Sequence, residues 1–143
     1  MDTLTAAERS ARMSLVRGKD TGPELAVRSL VHQMGYRYRK HRRDLPGQPD
    51  MVFASRRKVI FVHGCFWHRH NCHLGRMPKS RLGFWAPKLI ANHDRDLRNL
   101  QQLRSEGWTA LVIWECQLTN RGGRVLRTDL SAIAERIKKF LDA

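Results

Sequence analysis

The sequence has 143 residues, with 27 Lys and Arg against 13 Asp and Glu, so its formal net charge is +14. Hydrophobic residues make up 41% of the chain, a share that argues for a packed core and against a disordered charged tail. No run approaches the roughly 18 apolar residues of a spanning helix, and the N-terminal residues lack the apolar segment of a signal peptide. The positive charge favours a nucleic acid partner over a membrane, so we expect a single domain, 1–143, that is monomeric and cytoplasmic.

Two helices are predicted at the start of the chain. Thr5 and Glu8 have the spacing of a capping box, which predicts a first helix over 6–16. A second helix begins at Pro23, which suits a first helical position, and ends before Gly35. The first helix carries several basic and apolar residues: Arg9, Arg12, Met13, Val16 and Arg17.

Three strands are expected next. The first covers 36–40 and is followed by a proline-rich turn over 45–49, with Asp50 directly after it. Two short apolar runs, 51–54 and 58–62, have the pattern of an antiparallel hairpin of buried strands. This hairpin would allow Asp50 and His63 to meet.

The second half of the chain alternates between helix and strand. Residues 64–83 show little apolar periodicity and are predicted to be a loop. A long helix is expected over 84–106, closed by a glycine at 107, and a buried strand over 108–114. A last helix is capped at 128–129, so the element order is ααβββαβα.

The loop contains an unusual density of metal-ligand residues. Cys65, His70 and Cys72 lie within eight residues, and Cys116 follows the last strand. Zinc accepts such a set, and four protein ligands would make the site structural, stabilising the fold by about 10–16 kcal/mol as in zinc-finger peptides. His68 and His73 are rival ligands. The alternative is three buried free cysteines beside incidental histidines.

Phosphodiester cleavage needs a hard oxygen ligand for a divalent ion and a group that activates water. Asp50 is a candidate ligand, and His63 and His68 are candidates for polarising water. Asp96 and His93 lie three residues apart on one face of the long helix. Each residue also has a structural interpretation: Asp50 as a turn cap, Asp96 in an exposed ion pair, and both histidines as partners of metal ligands.

Specific motifs point to a family. Leu-Pro-Gly-Gln-Pro-Asp at 45–50 precedes Val-Ile-Phe-Val-His-Gly-Cys-Phe-Trp-His-Arg-His-Asn-Cys at 59–72, and Trp-Glu-Cys stands at 114–116. With Arg-Met at 12–13, these motifs resemble the very-short-patch-repair (Vsr) endonucleases along the whole chain. The Glu-x-Lys that related nucleases carry on the second strand is absent, and Phe-Val-His stands at 61–63 in its place.

The resemblance implies an α/β fold of the PD-(D/E)xK restriction-endonuclease type, with a mixed sheet, flanking helices and a structural zinc site. It implies that the enzyme nicks the strand carrying the mismatched T of a T:G pair by magnesium-dependent hydrolysis. The resemblance also assigns roles to individual residues. Asp50 and the main-chain carbonyl of Val62 ligate magnesium, His68 is the general base, His63 and Asp96 support the phosphate and solvent around the metal, Glu24 matches a further acidic position, and Cys65, His70, Cys72 and Cys116 bind zinc.

The resemblance also implies how duplex DNA is bound. A wobble pair stacks poorly, so opening that step costs less than opening a matched one. Phe66 and Trp67 would insert into the stack, with Met13 and Val16 approaching from the other groove. The alternative is that both aromatic residues pack beneath the loop. Phosphate contacts are expected from basic residues: Arg9, Arg12, Arg17, Lys19, Arg37, Arg39, Arg42 and Arg43.

Two other functions compete with mismatch nicking. One is a restriction-type endonuclease that cuts both strands of a matched duplex with the same site. The other is a zinc-stabilised DNA-binding module without chemistry, against which the joint presence of Asp50, His63 and His68 argues. The resemblance further suggests other mismatch-repair proteins and a cytosine methyltransferase system as partners.

Overall fold

The computed structural model describes residues 21–40, 42–120 and 126–143. The helix predicted over 6–16 lies outside these residues, and so do Arg12, Met13, Val16 and Arg17. Within the described part of the chain, no helix is both long enough and apolar enough to cross a membrane.

The centre of the fold is a four-stranded sheet in which the strands lie in the order β1-β2-β3-β4. The strands are β1 (Arg39–Lys40), β2 (Met51–Phe53), β3 (Lys58–His63) and β4 (Thr109–Trp114). Antiparallel pairing joins β1 to β2 and β2 to β3, whereas β3 and β4 are parallel. The predicted hairpin is therefore confirmed, with Met51 opposite Ile60.

Helices flank this sheet. They are α1 (Gly22–Gln33), α2 (Leu82–Ser105), α3 (Glu115–Leu118) and α4 (Ser131–Asp142). Thr21 caps α1 by accepting the N–H of Glu24 at 3.4 Å, and Pro23 lies in the first turn as predicted. After α2, Gly107 has a φ of 88°, and the N–H of Trp108 bonds back to the Leu103 carbonyl at 2.9 Å. That geometry needs a residue free to adopt positive φ, which explains the glycine.

Each face of the sheet has its own apolar cluster. One face packs against α1 and α4, and the other packs against α2. Side chains alternate along β3, so Ile60 belongs to the first cluster while Val59 and Phe61 belong to the second. A mixed sheet between helices confirms the predicted α/β class with flanking helices.

Some predicted boundaries were wrong. The strand expected over 36–40 is only two residues long, and Tyr36 instead donates its hydroxyl to Asp142 in α4 at 2.7 Å. Helix α2 begins two residues before the predicted start, at Leu82. The one-turn helix α3 was not predicted, because four residues are too few for a helical period to show. Thr128 and Asp129 were expected to cap the last helix, but its N-cap is Leu130, which makes no side-chain cap bond. The carboxylate of Asp129 accepts the N–H of Ser131 at 3.0 Å.

The last turn of α4 is held by the β2–β3 hairpin. Lys58 donates to the carbonyl oxygens of Phe140 at 2.5 Å and Leu141 at 3.4 Å, and Arg56 donates to Leu141 at 2.7 Å. These carbonyls have no partner inside the helix, so the two cations complete the helix end and complement its dipole.

We expect Lys58→Met to lower the free energy of unfolding by about 1–2 kcal/mol, because it removes charge-assisted hydrogen bonds and keeps most of the apolar stem. Urea denaturation measures this change. Lys138→Met is the control, since Lys138 is exposed on the same helix and the substitution removes the same charge. Equal losses in the two variants would contradict the proposed role of Lys58.

Candidate functional site

The candidate site lies where β3 and β4 end. His63 and Trp114 are the last residues of these parallel strands and pair with each other in register. Because β2 runs antiparallel to β3, Asp50, which precedes β2, lies at the same end of the sheet. Residues far apart in sequence therefore meet at one end of the sheet.

Four of the predicted ligands form one cluster. The ligand atoms of Cys65, His70, Cys72 and Cys116 all lie within 4.8 Å of one another. His70 Nδ1 is 3.7 Å from the sulfur of Cys65 and 3.4 Å from that of Cys116. These spacings suit a single metal ion bound by all four residues.

The chemistry around the cluster also fits a metal ion. Burial raises the pKa of the Cys65 and Cys116 thiols, and burial lowers the pKa of His70. A bound cation would reverse the first effect, because thiols that coordinate a metal are deprotonated. The His70 ring stacks on Trp114 with centroids 4.1 Å apart, which fixes its orientation.

The two rival ligands lie elsewhere. His73 is exposed in a short 3-10 turn, His73–Gly75, and His68 belongs to a different group. In that second group, candidate ligand atoms of His63, His68 and Asp96 lie within 4.8 Å of one another.

The second group centres on a His–Asp pair. Nδ1 of His68 bonds to a carboxylate oxygen of Asp96, so the exposed ion pair considered for Asp96 is not what forms. The His63 ring stacks on His68 with centroids 3.9 Å apart and planes 4° from parallel. Burial and the neighbouring His68 lower the pKa of His63 to about 3, so His63 is neutral at physiological pH. Its buried Nδ1 has no hydrogen-bond partner within the described residues.

Helix α2 holds the segment that carries His68. Asn92 donates to the carbonyl of Trp67 at 3.3 Å, and His93 Nδ1 donates to the carbonyl of His68 at 3.2 Å. Sequence reasoning missed Asn92. Its position four residues before Asp96, on the same helical face, was the available signal.

Asp50 lies in a separate, partly buried acidic pair. Its carboxylate accepts the main-chain N–H of Val62 at 2.6 Å. Burial and a hydrogen bond with Glu24 raise the pKa of Asp50 to about 8, against the opposing effects of the Val62 N–H and Arg28. Arg28, 3.5 Å from Glu24, was also missed, because a single arginine on a helix gives no signal of burial.

The acidic pair fits a divalent cation. Two carboxyl groups that share a proton near neutral pH can exchange it for Mg²⁺, which prefers oxygen ligands. Within the described residues, Asp50 does not join either group of close ligands. Its hydrogen bond is to the main-chain N–H of Val62, the residue before His63.

The two aromatic residues expected to contact DNA are half-buried. Phe66 and Trp67 pack edge to face with centroids 5.4 Å apart, and both also contact Trp85, which is 3% exposed. Trp85 packs beneath both rings, and part of each ring remains accessible. Both the packing role and a role in DNA contact remain compatible with this arrangement.

Sequence similarity to known proteins identifies the family to which this site belongs. Residues 1–74 match the model of the family described as DNA mismatch endonuclease Vsr. The chain is 51% identical to the type II nicking enzyme V.XorIIP of Xanthomonas oryzae, over 99% of this chain and 97% of that protein. It is 39% identical to the DNA mismatch endonuclease Vsr of Escherichia coli, over 98% and 87% of the two chains. It is 38% identical to the type II nicking enzyme V.NmeAIP of Neisseria meningitidis, over 96% of each chain.

The chain belongs to the Vsr family, and it is a DNA endonuclease of that type. The resemblance drawn from the motifs at 45–50 and 59–72 is therefore confirmed.

We expect Gly75→Ala to lower the metal content of the purified protein. A Cβ at Gly75 would lie 1.9 Å from the carbonyl oxygen of His70, so the backbone beside a candidate ligand must move. Metal analysis by mass spectrometry measures the loss. Gly83→Ala is the control, because a Cβ there meets nothing within 4 Å. Full metal content in Gly75→Ala would contradict this geometry.

We expect Asp50→Asn to become increasingly more stable than the parent protein as pH rises from about 5 to 8 without added divalent ions. The folded parent keeps the Asp50 proton up to pH about 8, whereas the unfolded chain releases it near pH 4, so parent stability falls across this window. The asparagine variant lacks this loss. Urea unfolding at several pH values tests the expectation, and parallel pH profiles would contradict it.

Proposed function

We propose that this endonuclease nicks the strand carrying the mismatched T of a T:G pair, by magnesium-dependent hydrolysis of one phosphodiester bond. The observation that carries the chemistry is the pairing of His68 with Asp96 at the sheet end where Asp50 also lies. Choice of a mismatch is supported by the likeness to the Escherichia coli protein named a DNA mismatch endonuclease.

In this proposal the Cys65, His70, Cys72 and Cys116 cluster binds zinc. Thiolate and imidazole ligands suit zinc, and four protein ligands leave no position for a reactive water. The role is structural, because the ion would tie the loop after β3 to Cys116, which lies in α3 just after the end of β4. The loop then holds His68 against α2.

Asp50 and the main-chain carbonyl of Val62 would hold Mg²⁺, with Glu24 close to the same carboxylate. When bound, this ion supplies charge neutralisation at the phosphate and a more acidic water. Arg28 offsets part of the negative charge of the two acids, so the pair can remain buried.

His68 would act as the general base. Asp96 accepts the proton on Nδ1 of His68, which fixes the tautomer and leaves Nε2 free to take a proton from the attacking water. Asn92 and His93 donate to the main-chain carbonyls of Trp67 and His68, and these bonds hold the backbone that carries the His68 ring. His63, neutral and stacked on His68, would support the phosphate and the solvent around the metal.

Mismatch recognition would use the accessible parts of Phe66 and Trp67. The buried Trp85 supports both rings, so they are rigid enough to enter a weakened base step. We propose that Met13 and Val16 approach the same step from the opposite groove. Arg12 and Arg17 would contact phosphates nearby.

Cleavage of one strand is favoured over restriction of both strands. Two of the relatives described above are named nicking enzymes, and a nicking enzyme is one that cuts a single strand.

The test is magnesium-dependent cleavage of one duplex with a T:G mismatch, beside its matched T:A and C:G counterparts, with each strand labelled in turn. We expect a single nick confined to the mismatched T strand, because a wobble pair is the step that costs least to open. Cutting of both strands in matched DNA would make the protein a restriction enzyme. Tight binding without cleavage would make it a binding module.

We expect Asp50→Ala to abolish nicking while zinc content and mismatch binding stay at the parental level. Cys116→Ala should instead lower zinc content and thermal stability, because one of four ligands is lost. Zinc analysis, binding and nicking are measured on both variants. Loss of zinc from Asp50→Ala would refute this division between the two sites.

A further inference from the structure

Two cations lie over one exposed aromatic ring at the start of α2. The guanidinium carbon of Arg81 is 4.8 Å from the centroid of Phe84, and Nζ of Lys88 is 5.0 Å from the same centroid. Phe84 is 47% exposed. We refer to Arg81, Phe84 and Lys88 as the cation–ring cluster.

The charge around this cluster is not balanced by the neighbouring sequence. Residues 51–93 contain no Asp or Glu. The same stretch carries eight cations: Arg56, Arg57, Lys58, Arg69, Arg76, Lys79, Arg81 and Lys88. Among the described residues, neither Arg81 nor Lys88 forms a salt bridge. Two like charges held at one ring without a counter-ion suit a negatively charged partner.

The cluster is continuous with the proposed DNA-binding surface. Phe84 packs edge to face on Trp85 with centroids 4.9 Å apart, and Trp85 supports Phe66 and Trp67. Side chains four residues apart are neighbours on a helix, and Phe84, Lys88, Asn92 and Asp96 have this spacing in α2. One face of α2 therefore joins the cation–ring cluster to the group formed by His63, His68 and Asp96.

We propose that the cation–ring cluster binds the DNA backbone beside the aromatic residues, with Arg81 and Lys88 contacting neighbouring phosphates. The ring holds both cations in place before DNA arrives, which lowers the entropy cost of forming the contacts. This proposal rests on the proposed function only in that the substrate is duplex DNA. It does not depend on the T:G preference.

The test compares two double variants that remove the same charge. Arg81→Gln with Lys88→Gln alters the cluster, whereas Lys138→Gln with Lys139→Gln alters exposed cations on α4. The dissociation constant for a short T:G duplex is measured over a range of KCl concentrations without magnesium. We expect the cluster variant to reduce the slope of log affinity against log salt by about 2, close to 0.9 for each lost phosphate contact. The α4 variant should keep the parental slope.

Phe84→Leu gives a second, uncharged readout. We expect it to weaken duplex binding by about two- to fivefold, the effect of losing a cation–π pair at an exposed site, with Phe84→Tyr restoring affinity. Equal salt slopes in the cluster and α4 variants would overturn the proposal. Failure of the parent to nick the T:G duplex would instead count against the proposed function alone.

Discussion

Parallel pairing of β3 with β4 is the constraint on which the site depends. It places His63 opposite Trp114, so that the loop leaving one strand and the turn leaving the other begin side by side. Cys65 and Cys116 are 51 residues apart in sequence, yet the N–H of Cys116 donates to the sulfur of Cys65 at 3.3 Å. Because the loop after β3 has little apolar periodicity, a metal bound by residues from both segments is the interaction best suited to order it.

Two kinds of candidate metal ligand lie near this end of the sheet. The Cys and His ligands form one cluster, whereas the carboxyl groups of Asp50 and Glu24 form a separate, partly buried pair. A metal ion at the Cys/His cluster and one at the acidic pair would therefore use separate sets of ligands. Helix α2 holds His68 by hydrogen bonds to both its side chain and its main chain.

Much of the fold could be predicted from local patterns. The β2–β3 hairpin follows from two short apolar runs, and the end of α2 follows from Gly107, whose positive φ few other residues tolerate. The metal cluster could be predicted because Cys and His side chains have few reasons to gather in a loop. Phe66 and Trp67 could be singled out from sequence, whereas their support by Trp85 could not.

Other features depend on tertiary contacts that leave no periodic signal. Several cations lie near Asp96 in sequence, but its hydrogen-bond partner is His68, because the loop after β3 folds onto α2. Arg28 looks like a solvated helical arginine until α1 packs on the sheet and buries it with Glu24. The strand over 36–40 is short because Tyr36 bonds to α4 and leaves the ladder, a contact between residues 106 apart.

We propose that a metal bound by the Cys/His cluster at the end of β3 and β4 sets the position of His68. The most direct measurement is the single-turnover nicking rate of a T:G duplex at fixed magnesium while zinc is withdrawn and then restored. The account predicts that the rate falls in proportion to zinc occupancy and recovers when zinc is returned. A full nicking rate from protein without zinc would contradict it.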